Sequence, residues 1–184
     1  MANVLVPLAQ GCEELEAVTI VDLLRRAGVQ VVTAGLDNKP VTASRDVRLI
    51  PDMDLDNALQ QNYDMVVLPG GKAGADNLDN DNRIHELLKK MANSEKFTAA
   101  ICAAPKVLAN AGLLSGKNAT SYPGFIDRMD LEDTEYLEDA VVTDGKVITS
   151  RGPGTAMDFA LHLIEILAGK EKRIEVERAL LRSQ

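Results

Sequence analysis

The runs at 3–9, 29–34, 63–68 and 97–101 are largely apolar at consecutive positions, not alternate ones, and this limits the fold more than any other feature of the chain. A strand with one wet face alternates apolar and polar residues, whereas a strand covered on both faces reads as a nearly continuous apolar run. Segments of helical spacing lie between these runs. One spans 13–27, with Leu15, Val18, Val21 and Leu24 on one side and Gly28 as its stop, and another spans 81–91. Strands alternating with helices imply an α/β chain: a mainly parallel, flavodoxin-like (Rossmann-like) sheet sandwiched between helices. Residues 41–50 alternate more and are expected as a hairpin on the sheet edge. Residues 105–111 continue as helix, and 118–136 read as irregular. Short strands at 140–142 and 146–149 flank the turn dipeptide Asp144-Gly145. A long helix is expected over 153–168, stopped by Gly169, and a charged helix over 171–181. No linker or repeat interrupts the pattern, so residues 1–184 are expected to form a single domain.

Sheets of this kind bind ligands beyond the carboxyl ends of their strands. The loops leaving such ends are 10–16, 69–74 and 102–105. The last carries the clearest chemistry. Ala99-Ala100-Ile101-Cys102-Ala103-Ala104-Pro105 places a thiol where a strand becomes a helix, with small residues, Ala100 and Ala104, at both second neighbours. This is the G-x-S-x-G nucleophile elbow with Cys in place of Ser. Unpaired N–H groups at the following helix N-terminus favour thiolate, the nucleophilic form. The competing reading, a buried cysteine acting as a small hydrophobe, is the common fate of free Cys. The strand–Cys–helix context weighs against it.

Leu68-Pro69-Gly70-Gly71 ends another strand, and its Gly71 N–H with that of Ala103 suits an oxyanion hole. Taken alone, Gly-Gly is equally an ordinary strand-to-helix turn. Glu13, Glu14 and Glu16 open the first helix. Acidic residues there usually complement the helix dipole, but one of them, buried and raised in pKa, suits a proton carrier for the thiol. The sequence pattern leaves open which one. His85 lies in a charged helix and His162 in the long C-terminal one, so a Cys–His dyad is disfavoured. Ser150-Arg151-Gly152-Pro153-Gly154-Thr155 reads as a rigid turn with helix capping. A sharper reading has Arg151 bind an anion or a partner chain.

Charge and composition narrow the partners. A net charge of −8 gives no overall basic footprint for nucleic acid, and 3% aromatics leave little for base stacking. No apolar run reaches membrane-spanning length. The N-terminus reads as a strand rather than a signal peptide, which points to the cytoplasm. Two cysteines without a CxxC or a Cys/His cluster argue against a disulfide framework or a zinc site. Cys12 reads as a filler, with a second redox thiol as the alternative.

Gly11-Cys12-Glu13-Glu14-Leu15-Glu16, Ser44-Arg45-Asp46, Leu68-Pro69-Gly70-Gly71, the Ala99–Pro105 elbow and the Ser150–Thr155 turn, in this order along the chain, resemble the ThiJ/PfpI superfamily. The similarity is to the branch of the Parkinson disease-associated deglycase and bacterial YajL. The resemblance implies a homodimer without cofactor. It implies Cys102 as nucleophile, a protonated Glu16 bonded to the thiolate, and Gly71 and Ala103 as backbone donors. Arg45 matches an arginine near the dimer interface and active site. The implied activity is glyoxalase or deglycase chemistry on a small reactive carbonyl. A redox-sensing or chaperone-like stress role for an oxidisable Cys102 is the alternative, and a binding module without chemistry is a third. Family proteases carry His directly after the nucleophile, where this chain has Ala103, so proteolysis is not expected. The parkinsonism-associated members also have a His before a Pro where this chain has Tyr122, expected to shape the pocket or donate a hydrogen bond.

Overall fold

The computed structural model describes residues 1–182. The strands are β1 (Asn3–Leu8), β2 (Gln30–Gly35), β3 (Val41–Thr42), β4 (Arg48–Leu49), β5 (Met53–Asp54), β6 (Met65–Leu68), β7 (Phe97–Ile101), β8 (Asn118–Ala119), β9 (Glu135–Tyr136), β10 (Val141–Asp144) and β11 (Val147–Ser150). The helices are α1 (Glu14–Arg26), α2 (Leu55–Ala58), α3 (Lys72–Asp79), α4 (Asn82–Asn93), α5 (Pro105–Asn110), α6 (Ala156–Ala168) and α7 (Lys170–Ala179).

One seven-stranded sheet has the order β10-β11-β7-β6-β1-β2-β5. Every pairing in it is parallel except β10 with β11. The inner order β2-β1-β6-β7-β11 is the doubly wound flavodoxin-like arrangement, whose ligand crevice opens where the winding reverses, between β1 and β6. The consecutive apolar runs are explained by cover on both faces: Val4, Leu5 and Val6, and Val66, Val67 and Leu68, are fully buried. Helices α1 and α6 pack together, and α3 packs against α4 and α5.

Several expectations shift. The 41–50 hairpin forms, as β3 paired with β4, but as its own two-stranded unit, and the sheet edge is β5. The polar sequence around it hides a strand of two residues. The loop-rich 118–136 region holds a parallel pair, β8 with β9, and a 3-10 turn at Ile126–Arg128. Helix α3 was not legible, because Gly74 and two Asp residues blur its period. The long helix over 153–168 divides into a 3-10 turn, Pro153–Thr155, and α6. The predicted apolar stripe of the first helix is right only at Leu24: α1 buries Ala17, Ile20, Leu23 and Leu24, while Val21 is half-buried and Leu15 and Val18 are each 50% exposed.

Candidate active site

Strand β7 ends at Ile101, and the next residue reverses the chain. Cys102 has φ 63°, a left-handed conformation that costs a residue bearing a Cβ about 1–3 kcal/mol. Neighbouring segments hold it there. Its N–H donates to the Ser150 carbonyl at 3.0 Å, and its carbonyl accepts the Tyr122 N–H at 2.9 Å. Pro105 then opens α5. This strained strand–turn–helix is the geometry of a nucleophile elbow, and the thiol is 8% exposed.

Glu16 reaches the thiol from the first turn of α1 and is fully buried. Its Oε2 accepts the Gly70 N–H at 2.8 Å. Its Oε1 is buried without a partner, and the carboxyl group lies within bonding reach of the Cys102 thiol. The Gly71 and Ala103 N–H groups lie close enough to that thiol to lower its pKa. Gly70 leaves no room for a side chain: a Cβ there would stand 2.6 Å from the Cys102 Cβ and 2.8 Å from Glu16 Oε2. Gly71 has φ 81°, and a Cβ on it would collide with the Gly11 carbonyl.

The loop after β1 is clamped from both sides. The Glu13 N–H donates to the Gly70 carbonyl at 2.9 Å, and the Ser44 N–H donates to the Cys12 carbonyl at 2.8 Å. The Ser44 hydroxyl lies 2.8 Å from Glu13 Oε2 and 2.9 Å from Glu14 Oε2, while the Arg45 N–H donates to Glu14 Oε1 at 2.8 Å. Burial pulls Glu14 upward, but backbone N–H groups and the Ser44 hydroxyl outweigh it and hold the carboxyl below its ordinary value. Glu14 is thus a structural clamp, a role that the first-turn pattern did not disclose.

Burial raises the Glu16 carboxyl to about 7, against the pull of the Gly70 N–H and the Cys102 thiol. Burial and the charge of an ionised Glu16 push Cys102 up to about 12, while the Gly71 and Ala103 N–H groups pull it down. The two groups therefore titrate as a pair. Placing the proton on Glu16 removes its charge and makes the carboxyl a donor toward sulfur, and both changes favour thiolate. The expected help from the helix start is present in the Ala103 N–H, which lowers the thiol's pKa, and Glu16 acts beside it. Helix α5 is only six residues long, and after burial the charge of Glu16 is the largest influence on the thiol. Cys12 is 1% exposed, and burial pushes it to about 12 as well.

The remaining expected residues fall outside the Cys102–Glu16 contact. Tyr122 anchors the elbow by its backbone, and its ring is 49% exposed. The Arg45 guanidinium is exposed and donates to the Ser44 carbonyl at 3.1 Å. Arg151 donates to the Glu138 carbonyl at 3.0 Å. The histidines have partners elsewhere: His85 Nε2 lies 2.8 Å from the Asp79 carbonyl, and His162 Nε2 lies 2.8 Å from the Thr143 hydroxyl. Among the described residues, no cluster of His, Cys, Asp and Glu suits a metal ion.

The model of the DJ-1/PfpI family matches residues 2–166. The chain belongs to this family. Its DJ-1/PfpI relatives include Protein dj-1beta of Drosophila melanogaster, 46% identical over 181 residues, which are 97% of this chain and 96% of that protein. Protein DJ-1 homolog B of Arabidopsis thaliana is 45% identical over 97% of this chain, which spans only 41% of that relative. The glutathione-independent glyoxalase DJR-1.2 of Caenorhabditis elegans is 38% identical over 171 residues, 93% of this chain and 90% of that protein. The crystal structure of Drosophila melanogaster DJ-1beta superposes with a TM-score of 0.95 at 45% identity, covering 100% of this chain and 99% of that one. Toxoplasma gondii DJ-1, oxidized, gives a TM-score of 0.94 at 38% identity, covering both chains fully. Among the described residues, no helix is long and apolar enough to cross a membrane.

Proposed function

We propose that this chain is a cofactor-independent, cysteine-dependent glyoxalase acting on methylglyoxal-type dicarbonyls, with deglycase action on their early adducts, in carbonyl and oxidative stress defence. The observation that carries this reading is the strained Cys102 held against a buried Glu16 whose carboxyl titrates near neutrality. The similarity to a named glyoxalase supports it. The protein would act as a lyase or hydrolase, and the absence of a histidine after the nucleophile disfavours proteolysis.

The chemistry balances without a cofactor. The Cys102 thiolate adds to the aldehyde carbon, forming a C–S bond, and the carbonyl electron pair moves to oxygen. The Gly71 and Ala103 N–H groups hold that oxyanion while the protonated Glu16 delivers its proton, giving a hemithioacetal. The Glu16 carboxylate then removes the proton from this carbon to give an enediol and returns it to the adjacent carbon, while the hydroxyl proton of the first carbon passes to the oxygen of the second. The first carbon is oxidised and the second reduced, leaving a lactoyl thioester. Water cleaves the C–S bond and releases lactate and the thiol. The test is conversion of methylglyoxal to lactate in buffer free of glutathione. A folded wild-type protein without turnover overturns the reading.

A second reading, a redox-sensing or chaperone-like role, is favoured by similarity to a DJ-1 named as oxidized. A proton on Glu16 would bond a sulfinate at Cys102. Mild peroxide is then expected to add two oxygens selectively at Cys102, leaving the buried Cys12 unchanged. Mass spectrometry showing equal oxidation of both thiols would sink it.

The expected partner is a second copy of the chain. Leu15 and Val18 of α1 are each 50% exposed, and Val47 and Ile50 of the hairpin are 46% and 83% exposed. Val18, Val21, Leu49 and Ile50 line one groove, an apolar surface suited to an interface. Sedimentation is expected to give a dimer for wild type and a monomer for Val18→Asp combined with Ile50→Asp. A wild-type monomer at micromolar concentration would refute the assignment.

A further inference from the structure

The strain at Cys102 needs a support stiff enough to hold it, and both of its backbone anchors lead to one turn. Strand β11 pairs with β7 so that Ser150 lies opposite Ile101, and the Ser150 carbonyl accepts the Cys102 N–H. The Ser150 side chain is itself fully buried. Its Oγ stands 2.7 Å from the Ala140 carbonyl and 2.7 Å from Thr155 Oγ1. Thr155 Oγ1 in turn accepts the Gly152 N–H at 3.1 Å and lies 3.0 Å from the Gly152 carbonyl. The buried Ser150 hydroxyl and the half-buried Thr155 hydroxyl therefore close the 150–155 turn on itself and tie it to the segment before β10.

The second anchor reaches the same turn by packing. A Cβ on Gly152 would stand 3.1 Å from Tyr122 Cδ2, so the tyrosine ring rests on Gly152. The Tyr122 N–H is the group that holds the Cys102 carbonyl. Capping accounts for the bond between the Gly152 N–H and Thr155 Oγ1 at the start of the Pro153–Thr155 turn, but not for the contact of Thr155 Oγ1 with Ser150 Oγ.

We infer that Ser150 and Thr155 are positioning residues: their hydroxyl pair holds Cys102 in its left-handed conformation and so sets the reactivity of the thiol. Neither touches the reacting atoms. The thiol's reactivity needs no carbonyl substrate to be measured, and only the turnover readout rests on the glyoxalase reading.

The experiment measures alkylation of Cys102 by iodoacetamide across pH, read by mass on the peptide containing it, with circular dichroism as the check on folding. Thr155→Val keeps the β-branched shape and removes the hydroxyl. It is expected to slow alkylation about tenfold, the size of one lost hydrogen bond, and to move the midpoint of the pH profile. Thr155→Ser is expected to restore both. Methylglyoxal kcat should fall in parallel with KM unchanged. A folded Thr155→Val that alkylates as wild type does, or a Thr155→Ser as slow as the valine variant, overturns the inference. Should the valine variant not fold, Ser150→Ala and Thr155→Ala are read by the same criteria. If wild type turns over no methylglyoxal, the functional reading fails while the alkylation comparison still decides this one.

Discussion

Cys102→Ala is expected to lose methylglyoxal conversion by about 10³-fold or more while keeping its fold. The size follows from the chemistry: with no sulfur there is no covalent adduct, and no side chain in the pocket described above replaces it. Cys12 is only 1% exposed, so it does not serve as a substitute. Alanine at position 102 still carries a Cβ and inherits the φ of 63°, which leaves the strain in place. The melting temperature should therefore change little, and the loss is chemical. Cys102→Ser separates nucleophile from shape: a hydroxyl fits the pocket but holds its proton far more tightly than a thiol. Turnover in either variant within tenfold of wild type would remove Cys102 from the mechanism.

Glu16 gives the second large effect, and it appears in stability as well as in rate. The folded chain holds the Glu16 proton to about 7, against an ordinary value of 4.5. Below the lower value both states carry the proton, and the stabilising contribution is complete. As pH rises, the unfolded chain releases its proton first and the folded chain retains it, so stability falls through this window and levels off above the folded value. The step is on the order of 3 kcal/mol at most. Denaturant unfolding from pH 4.5 to 8 measures it. Glu16→Gln keeps an acceptor for the Gly70 N–H and has no titrating proton, so the slope should vanish. The same variant should lower kcat by about 10²–10⁴-fold, the usual weight of a proton carrier. A slope that persists in Glu16→Gln would assign the titration to another group.

The elbow was legible because the signal is local. A strand, a small-flanked cysteine and a helix-starting proline stand together within 99–105, and their geometry follows from that order. The parallel sheet was legible for a similar reason, since consecutive apolar residues record cover on both faces. What the residues alone left open was choice among equals. Three glutamates share one helix turn, and only the three-dimensional approach of Gly70 and Cys102 singles out Glu16; before that, the family resemblance made the choice. The outward face of α1 misled for a physical reason. Leu15, Val18 and Val21 have the spacing of a core stripe, and spacing alone does not say whether core or solvent lies opposite. Ser150 and Thr155 read as capping because the carbonyl that Ser150 offers to Cys102 is a backbone group, silent in sequence. Ser44 was hidden likewise: its carboxylate partners lie some thirty positions earlier, at separations of 31 and 30.

The parallel pairing of β11 with β7 also has a consequence in time. The backbone acceptor for Cys102 comes from Ser150, and the carboxyl that governs its proton comes from Glu16. Contacts this distant along the chain form only after a large loop has closed. A ribosome that has just completed β7 therefore holds a cysteine with neither its strained backbone nor its full set of anchors. The elbow around the thiol is complete only once β11 has been made and docked. The geometry of this site is a late product of synthesis, and an unfinished chain carries Cys102 without it.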